Sequence, residues 1–383
     1  MVLIDFYDKD LMSTLVPIKT LKPDKVFFLL DGAKESDPEI QFVAEAIYAW
    51  GDVQEIYYYP VDIASYLDVS GRVDEILDKV SGEEVYMEFS GGNELMIAAG
   101  YDACKKGLVT PCFMSRERDE LVHVTSGEGL RKLNHITLQD YLCAIGAECI
   151  EHSKYVPSEK EEERVANMAQ IIFSNTNCWH AIQDYVSKRT GADNWYQNFR
   201  VPGSISYNGK AYNTDFLMRK FVEYNFVERV HGNVYRFLDA KYYHYMTVYG
   251  VWLEMYVYLS AKRYFDEVYQ GVCIEWIKEK SKDNQDNEID VLVMKNSMPI
   301  IISCKMKKPG NYDVYEVGYV ATRLGGENAR SIMATTYEIT KEDPWGSGIY
   351  GRLNKMNVGL IEVKNLARKS EKEVWDKVLK YIH

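Results

Sequence analysis

The sequence predicts an α/β protein of two or three domains. Three observations carry that prediction: strand and helix patterns alternate over residues 1–150, a charged stretch then breaks the alternation, and a helix acid followed by a strand hairpin stands near the C-terminus. At 383 residues the chain exceeds one ordinary core. With 46% hydrophobic and 27% charged residues, its composition is that of a globular protein.

Taken in order, "MVLIDFY" reads as a strand, "LVPIKTLKPD" as a connecting segment, and "KVFFLLDG" as a second strand ending in an Asp-Gly turn. "PEIQFVAEAIYAWG" has helical spacing and a closing glycine. "VQEIYYYPVD" is a third strand, "SGRVDEILDKVSG" a helix, "EEVYMEFSGG" a fourth strand and "NELMIAAGYDACKKG" a helix. This alternation predicts a parallel sheet wrapped by helices. The run Ser158–Phe173, "SEKEEERVANMAQIIF", reads as a solvated helix leading out of this domain, with Ser-x-x-Glu as its cap. From Asp215 a helix followed by two strands turning at "HGN" has the winged-helix pattern, which serves either as a DNA reader or as a connector. A third region opens with the helix "TVYGVWLEMYVYLSAKRYF".

Two motifs bear on chemistry. "FSGGNELM" (Phe89–Met96) lies where a strand gives way to a helix. Glycines there let backbone N–H groups approach a phosphate, and the helix N-terminus favours an anion. It is neither a GxGxxG fingerprint nor a P-loop. It reads either as a tight turn or as a ligand loop.

The second is "NEIDVLVMKNSMPIIISCKMKK" (Asn287–Lys308), two β-branched runs joined by the polar turn Asn296-Ser297. Alternation along the strands puts Asp290, Ser303 and Lys305 on one face, with Glu288 beside Asp290. Glu254, in "GVWLEMY", is the helix acid that completes the set. Carboxylates of this kind can hold a divalent ion for phosphodiester hydrolysis, with the lysine near the attacking water. The same residues also read as a cross-strand ion pair worth only ~0.2–1 kcal/mol. Lys307 and Lys308, which follow, suit either a phosphate backbone or a solvated strand end. Arg323 and Arg330 are placed to do the same.

"GVWLEMY", "NEID" and "IISCK", in that order, resemble the PD-(D/E)xK nuclease core. With "LVPIKTLKPDKVFFL" and "SGGNELM" upstream, the chain is similar to the CARF-domain nucleases of type III CRISPR systems, the Can and Card effectors. The resemblance implies a Rossmann-like CARF domain over 1–150, a helical linker and winged-helix-like connector over 151–245, and a restriction-endonuclease-like PD-(D/E)xK domain over 246–383. It implies a homodimer that binds a cyclic oligoadenylate, cyclic tetra-adenylate or cyclic hexa-adenylate, and then cleaves DNA, RNA or both in antiviral defence. Mg²⁺ or Mn²⁺ would sit on Glu254, Glu288 and Asp290, with Ser303 and Lys305 completing the catalytic set. The family has an acid where this chain has Ser303, a poorer ligand, and Glu288 is expected to supply the missing charge. Activator contacts are expected from Ser90, Gly91, Gly92, Asn93 and Glu94, through backbone amides, and from a turn around Lys9, Ser13 and Thr14. Other readings are a nucleotide-sensing winged-helix transcription regulator, a constitutive restriction-like nuclease and an inactive descendant.

A formal charge of −12 argues against a protein that coats nucleic acid nonspecifically, without excluding a local basic cleft. Seven cysteines with no CxxC pair predict reduced thiols and no zinc site. "MVLIDFYDKD" has acids where a signal peptide would be basic and then apolar, and no stretch reads as a membrane span, so a cytoplasmic protein is expected.

Overall fold

The strand predicted at the N-terminus, β1 (Val2–Phe6), is buried along its whole length because all but one of its residues are apolar. In the computed structural model, which describes residues 1–8, 10–34, 38–105, 109–151, 153, 155–277, 287–363 and 371–381, it is the middle of the first of two units. This unit comprises Met1–Cys149 with Ile274–Asp286 and Asn296–Met298. After β1 come α1 (Leu11–Leu21), β2 (Lys25–Asp31), α2 (Pro38–Ala49), β3 (Glu55–Val61), α3 (Tyr66–Lys79), β4 (Val85–Glu88) and α4 (Glu94–Cys104). Then follow β5 (Thr110–Ser115), β6 (Glu120–His123), β7 (Gly129–Lys132) and α5 (Leu138–Ala144).

The sheet order is β3-β2-β1-β4-β5-β6-β7. Strands β3 to β5 of that row are parallel, and β6 and β7 return antiparallel. The chain builds outward from β1 through β2 and β3, then crosses to β4 on the other side. The order therefore reverses between β1 and β4, and open sheets of this kind bind ligands at the carboxyl ends of the two strands flanking that point. One apolar face of the sheet closes on α3 and α4 through Ile4, Phe6, Leu29, Met87, Val69, Val73, Ile76, Met96 and Ala99.

The segment "LVPIKTLKPD" departs from expectation. It belongs mostly to α1, which Asp10 caps by accepting from Met12 N–H, and which carries Pro17 inside it. Burial of nine of its eleven residues outweighs the cost of the proline, whose missing N–H removes one helical hydrogen bond.

The second unit comprises Ile150–Cys273, Asn287–Lys295 and Pro299–His383. Strand β8 (Ala147–Glu151) leads into α6 (Glu162–Ser174) and α7 (Thr176–Ser187). The helix α6 is not merely solvated, since Val165, Ala166, Met168, Ala169 and Ile172 are buried. At its start Ser158 Oγ donates to Glu161 Oε2 at 2.6 Å, and Lys241 and Arg164 pair with the same carboxylate, each at 2.6 Å. Burial alone would raise the Glu161 pKa, but hydrogen bonds from Lys241, Ser158 and Tyr242 hold it far below the usual carboxylate range.

Strands β9 (Phe199–Arg200), β10 (Ser204–Tyr207) and β11 (Lys210–Asn213) precede α8 (Asp215–Glu223), β12 (Val227–His231) and β13 (Val234–Phe237). Helix then hairpin is the arrangement the pattern predicts, with β9 added to the sheet as β12-β13-β9. Next are α9 (Ala240–Thr247), α10 (Val251–Lys262), β14 (Glu267–Trp276), β15 (Asn287–Lys295), β16 (Met298–Lys305), α11 (Asn311–Gly325), β17 (Arg330–Thr335), α12 (Pro344–Lys355), β18 (Val358–Glu362) and α13 (Glu371–Tyr381). Within the second unit the strands run β18-β17-β16-β15-β14, with β16, β17 and β18 parallel. Asn296 and Ser297 join β15 to β16 with φ of 50° and 67°. Two successive left-handed residues make the turn whose twist matches a hairpin. No helix among the described residues is long and apolar enough to cross a membrane.

Candidate active site

The acids expected to do chemistry are brought together by two elements, α10 and the β15–β16 hairpin. Glu254 sits in the first turn of α10, a helix otherwise buried almost throughout. Burial, then the charges of Asp290 and Glu288, push its pKa up to about 8, against a lowering effect of Lys305. Just ahead of the helix, Gly250 has φ of 92°, and a Cβ there would stand 2.7 Å from Glu254 Oε1. The glycine is needed so that the carboxylate can lie back across the start of its own helix.

Asp290 is anchored from β16. Cys304 N–H donates to Asp290 Oδ2 at 2.6 Å, and Ser303 Oγ lies 3.5 Å from the same oxygen. Burial raises its pKa and outweighs the Cys304 hydrogen bond and the charge of Lys305. Ser303 thus faces Asp290, as alternation requires. Glu288 is exposed, but its charge raises the pKa of both Glu254 and Asp290.

Lys305 does not stand free. Its Nζ lies 3.2 Å from Glu316 Oε2 and 3.8 Å from Asp313 Oδ1, and both acids belong to α11. Asp313, only 4% exposed, also pairs with Lys307 at 3.2 Å and accepts from Gly310 N–H at 2.7 Å. Sequence reasoning missed Asp313 and Glu316. The available signal was the Pro309-Gly310 break and an i, i+3 acid pair in the helix that follows, a spacing that places both on one face. Lys308 lies over the Trp345 ring at 4.1 Å.

Around this cluster is a cleft of about 550 Å³. Glu254 and the strip Cys304–Lys308 form one side, while Asn177 and His180 of α7 with Tyr207 and Asn208 of the β10–β11 turn also line it. Arg323 and Arg330 are not among its lining residues.

No three His, Cys, Asp or Glu side chains among the described residues are arranged to hold an ion. The expected three-acid set is therefore not a closed cage. What is present is a half-buried pair, Glu254 and Asp290, in which the charge of Asp290 raises the pKa of Glu254 and which a cation would relieve. Mg²⁺ is commonly held by one or two carboxylates with the rest of its shell water, so this donor set fits such an ion.

The first unit carries the other expected site at its switch point. Asp5 at the end of β1 pairs in register with Glu88 at the end of β4, with exposures of 1% and 0%. Burial raises Asp5 to about 7 against the hydrogen bond from Thr14, and burial and then the charge of Asp5 push Glu88 well above its ordinary value. Thr14 Oγ1 donates to Asp5 Oδ1 at 3.1 Å. Ser90 N–H donates to Glu88 Oε2 at 2.8 Å, Ser90 Oγ donates to Glu88 Oε1, and Gly91 N–H joins them.

The surroundings of these residues bear on how the loop could meet a ligand. The amides of Ser90 and Gly91 are already taken by Glu88, so they are not free for a phosphate. Ser13 and Thr14 lie in the first turn of α1 and not in a loop, and both are buried, with Ser13 Oγ donating to the Asp10 carbonyl at 2.6 Å. Gly92, with φ of 81°, would put a Cβ 2.7 Å from Phe6 Cβ, so the fold itself requires this glycine, ligand or none. Asn93 caps α4 by accepting from Met96 N–H at 2.9 Å, and Glu94 is exposed at the helix start. Lys9 lies outside the described residues.

Residues 242–372 match the model of the Card1-like endonuclease domain, and Glu254, Glu288, Asp290, Ser303 and Lys305 all fall within that segment. A search of the curated proteins returned no match. Among solved structures the chain is similar to the protein VC1899 from Vibrio cholerae (TM-score 0.80, 17% identity, covering 100% of this chain and 98% of that one). It is also similar to Can2 from Sulfobacillus thermosulfidooxidans, solved in complex with cyclic tetra-adenylate (TM-score 0.68, 16% identity, 100% and 99% covered). A type III CRISPR defence DNA nuclease activated by cyclic oligoadenylate matches with a TM-score of 0.51 at 12% identity, covering 88% of this chain and 45% of that one. At these identities the likeness establishes the fold, an α/β architecture shared along the whole of the first two chains.

Proposed function

We propose that this chain is a cyclic-oligoadenylate-activated nuclease of type III CRISPR defence, working as a homodimer. The observation that carries the reading is the half-buried Glu254–Asp290 pair, with Glu254 and Lys305 lining an open cleft, inside the segment that matches an endonuclease domain. A half-buried acid whose pKa is raised by a neighbouring carboxylate, as Asp290 raises that of Glu254, is costly for the fold unless a cation or proton joins the pair. Such groups concentrate at functional sites.

Mg²⁺ or Mn²⁺ held by Glu254 and Asp290, with Glu288 nearby, would supply Lewis-acid activation and a more acidic attacking water. The chain's own residues do the rest. Cys304 N–H fixes Asp290 so that one carboxylate oxygen is committed and the other is free. Lys305, steered by Asp313 and Glu316, brings a cation to where negative charge builds on the phosphoryl group. Lys307 and Lys308 extend that positive strip along the cleft for a phosphate backbone.

The sensing half rests on the crevice between β1 and β4. The end of β4 and the N-terminus of α4 meet there, which suits an anionic ring. With Ser90 and Gly91 held by Glu88, the amides of Gly92 and Asn93 and the exposed rim at Glu94 are the groups left to meet the activator. A cyclic tetra-adenylate repeats the same phosphate around its ring, so two copies of one crevice can share it.

The deciding assay incubates plasmid DNA and single-stranded RNA with the protein and Mn²⁺, alone and with cyclic tetra-adenylate or cyclic hexa-adenylate. Cleavage that needs both metal and one of the rings is the expected result. Cleavage without any ring overturns the sensing half, and no cleavage of either polymer under any condition overturns the nuclease.

A further inference from the structure

The cleft holds a histidine for which the reaction described above has no use. His180, on α7, is half-buried and lines the same cleft as Glu254 and Lys305–Lys308. Neither ring nitrogen hydrogen-bonds to another group among the described residues. Burial lowers its pKa, which favours the neutral ring with one donor and one acceptor. Its nearest ring neighbour is Tyr249, 6.5 Å away between centroids. A histidine kept for structure is usually satisfied, as His135 is, with Nε2 2.7 Å from Asp119 Oδ1. A ring with no protein partner, its nitrogens open to the cleft and three lysines lining the same cleft, is placed to meet a polyanion.

We propose that His180 is a substrate-contacting residue, its ring N–H donating to a phosphoryl oxygen of the nucleic-acid strand in the cleft. The exposed amides of Asn177 and Asn208 stand on the same wall. This rests on the nuclease reading and extends it in one respect: His180 lies outside residues 242–372, so the cutting site takes one of its walls from chain that precedes the matched domain. A connector of this kind then grips substrate as well as joining domains.

The test uses the full-length protein saturated with its activator ring, in Mn²⁺, cutting labelled single-stranded RNA and DNA oligonucleotides. Loss of a hydrogen bond to a charged phosphate predicts that His180→Ala raises KM roughly 10-fold or more while kcat changes far less. His180→Asn and His180→Gln each keep a neutral N–H donor near one of the two ring nitrogens, and at least one of them recovers most of the loss. KM for His180→Ala within twofold of the parent overturns the inference. So does a fall in melting temperature with kcat and KM both impaired and no recovery by Asn or Gln, because that pattern belongs to a packing role. Lys305→Ala, run in parallel, tests the underlying reading separately: if it cuts at the parent rate, the cleft is not the cutting site and His180 is not at issue.

Discussion

Each unit of this protein holds two acids whose pKa values burial raises, and the two pairs are finished differently. Asp5 and Glu88 end adjacent parallel strands and are sealed by Thr14, Ser90 and Gly91, with 1% and 0% exposure. Glu254 and Asp290 come from a helix and a hairpin and are half-buried; Asp290 receives one close backbone donor, and Glu254 lines a cleft that also carries lysines. Burial alone therefore does not mark a catalytic centre, for it raises the pKa of acids in both pairs. Access, a cation and unused lone pairs separate them. The sealed pair holds a loop in shape; the open pair is available for chemistry.

The comparison breaks most visibly if the open pair is made dispensable. Asp290→Asn removes the charge that would share an ion with Glu254, and cleavage is expected to fall by a factor of 10³ or so, with activator binding unchanged in a titration. Activity within tenfold of the parent would put the chemistry elsewhere. Next in size, Gly92→Val forces a Cβ against Phe6 from a backbone conformation valine avoids. Activator binding is expected to weaken at least 100-fold, and a melting curve of the variant separates a displaced loop from a collapsed unit.

A smaller effect is expected from Ser303→Glu, which places a third acid beside Asp290. Half-maximal Mn²⁺ should shift severalfold lower, with cleavage kept; a shift to higher Mn²⁺ would mean that the added charge only repels its neighbour. The smallest concerns the sealed pair. Asp5 holds a proton up to about pH 7 when folded, whereas an unfolded aspartate has an ordinary pKa near 3.9. Between those values the folded chain binds more protons than the unfolded one, so stability drops as pH rises. Asp5→Asn cannot ionise, and its melting temperature should match the parent below about pH 4 and exceed it by a few degrees at pH 8. Equal melting at pH 8 would mean the pair is not strained.

Much of this could be read from residue order. The alternation over the first 150 residues predicts β1 to β4 with α2, α3 and α4, and Asn296-Ser297 between β-branched runs predicts the hairpin, since local pattern and turn chemistry agree there. Strands β5 to β7 escaped notice because they are short, mixed in polarity and, in β5, interrupted by Pro111. Helix α1 was hidden by Pro17, whose cost is met by burial that no local pattern reveals. The tethering of Lys305 by Asp313 and Glu316 and the capture of the Ser90 and Gly91 amides by Glu88 are tertiary facts. Single positions carried no sign of them.

Gly250 has a consequence for reading other chains of this architecture. Any side chain there must either abandon the left-handed backbone or displace the Glu254 carboxylate, so one substitution can disarm the centre while every acid and the lysine remain in place. A relative that keeps Glu254, Asp290 and Lys305 but has lost this glycine would look intact in a motif search and yet be silent. The glycine therefore belongs with Glu254, Asp290 and Lys305 when copies of this site are compared.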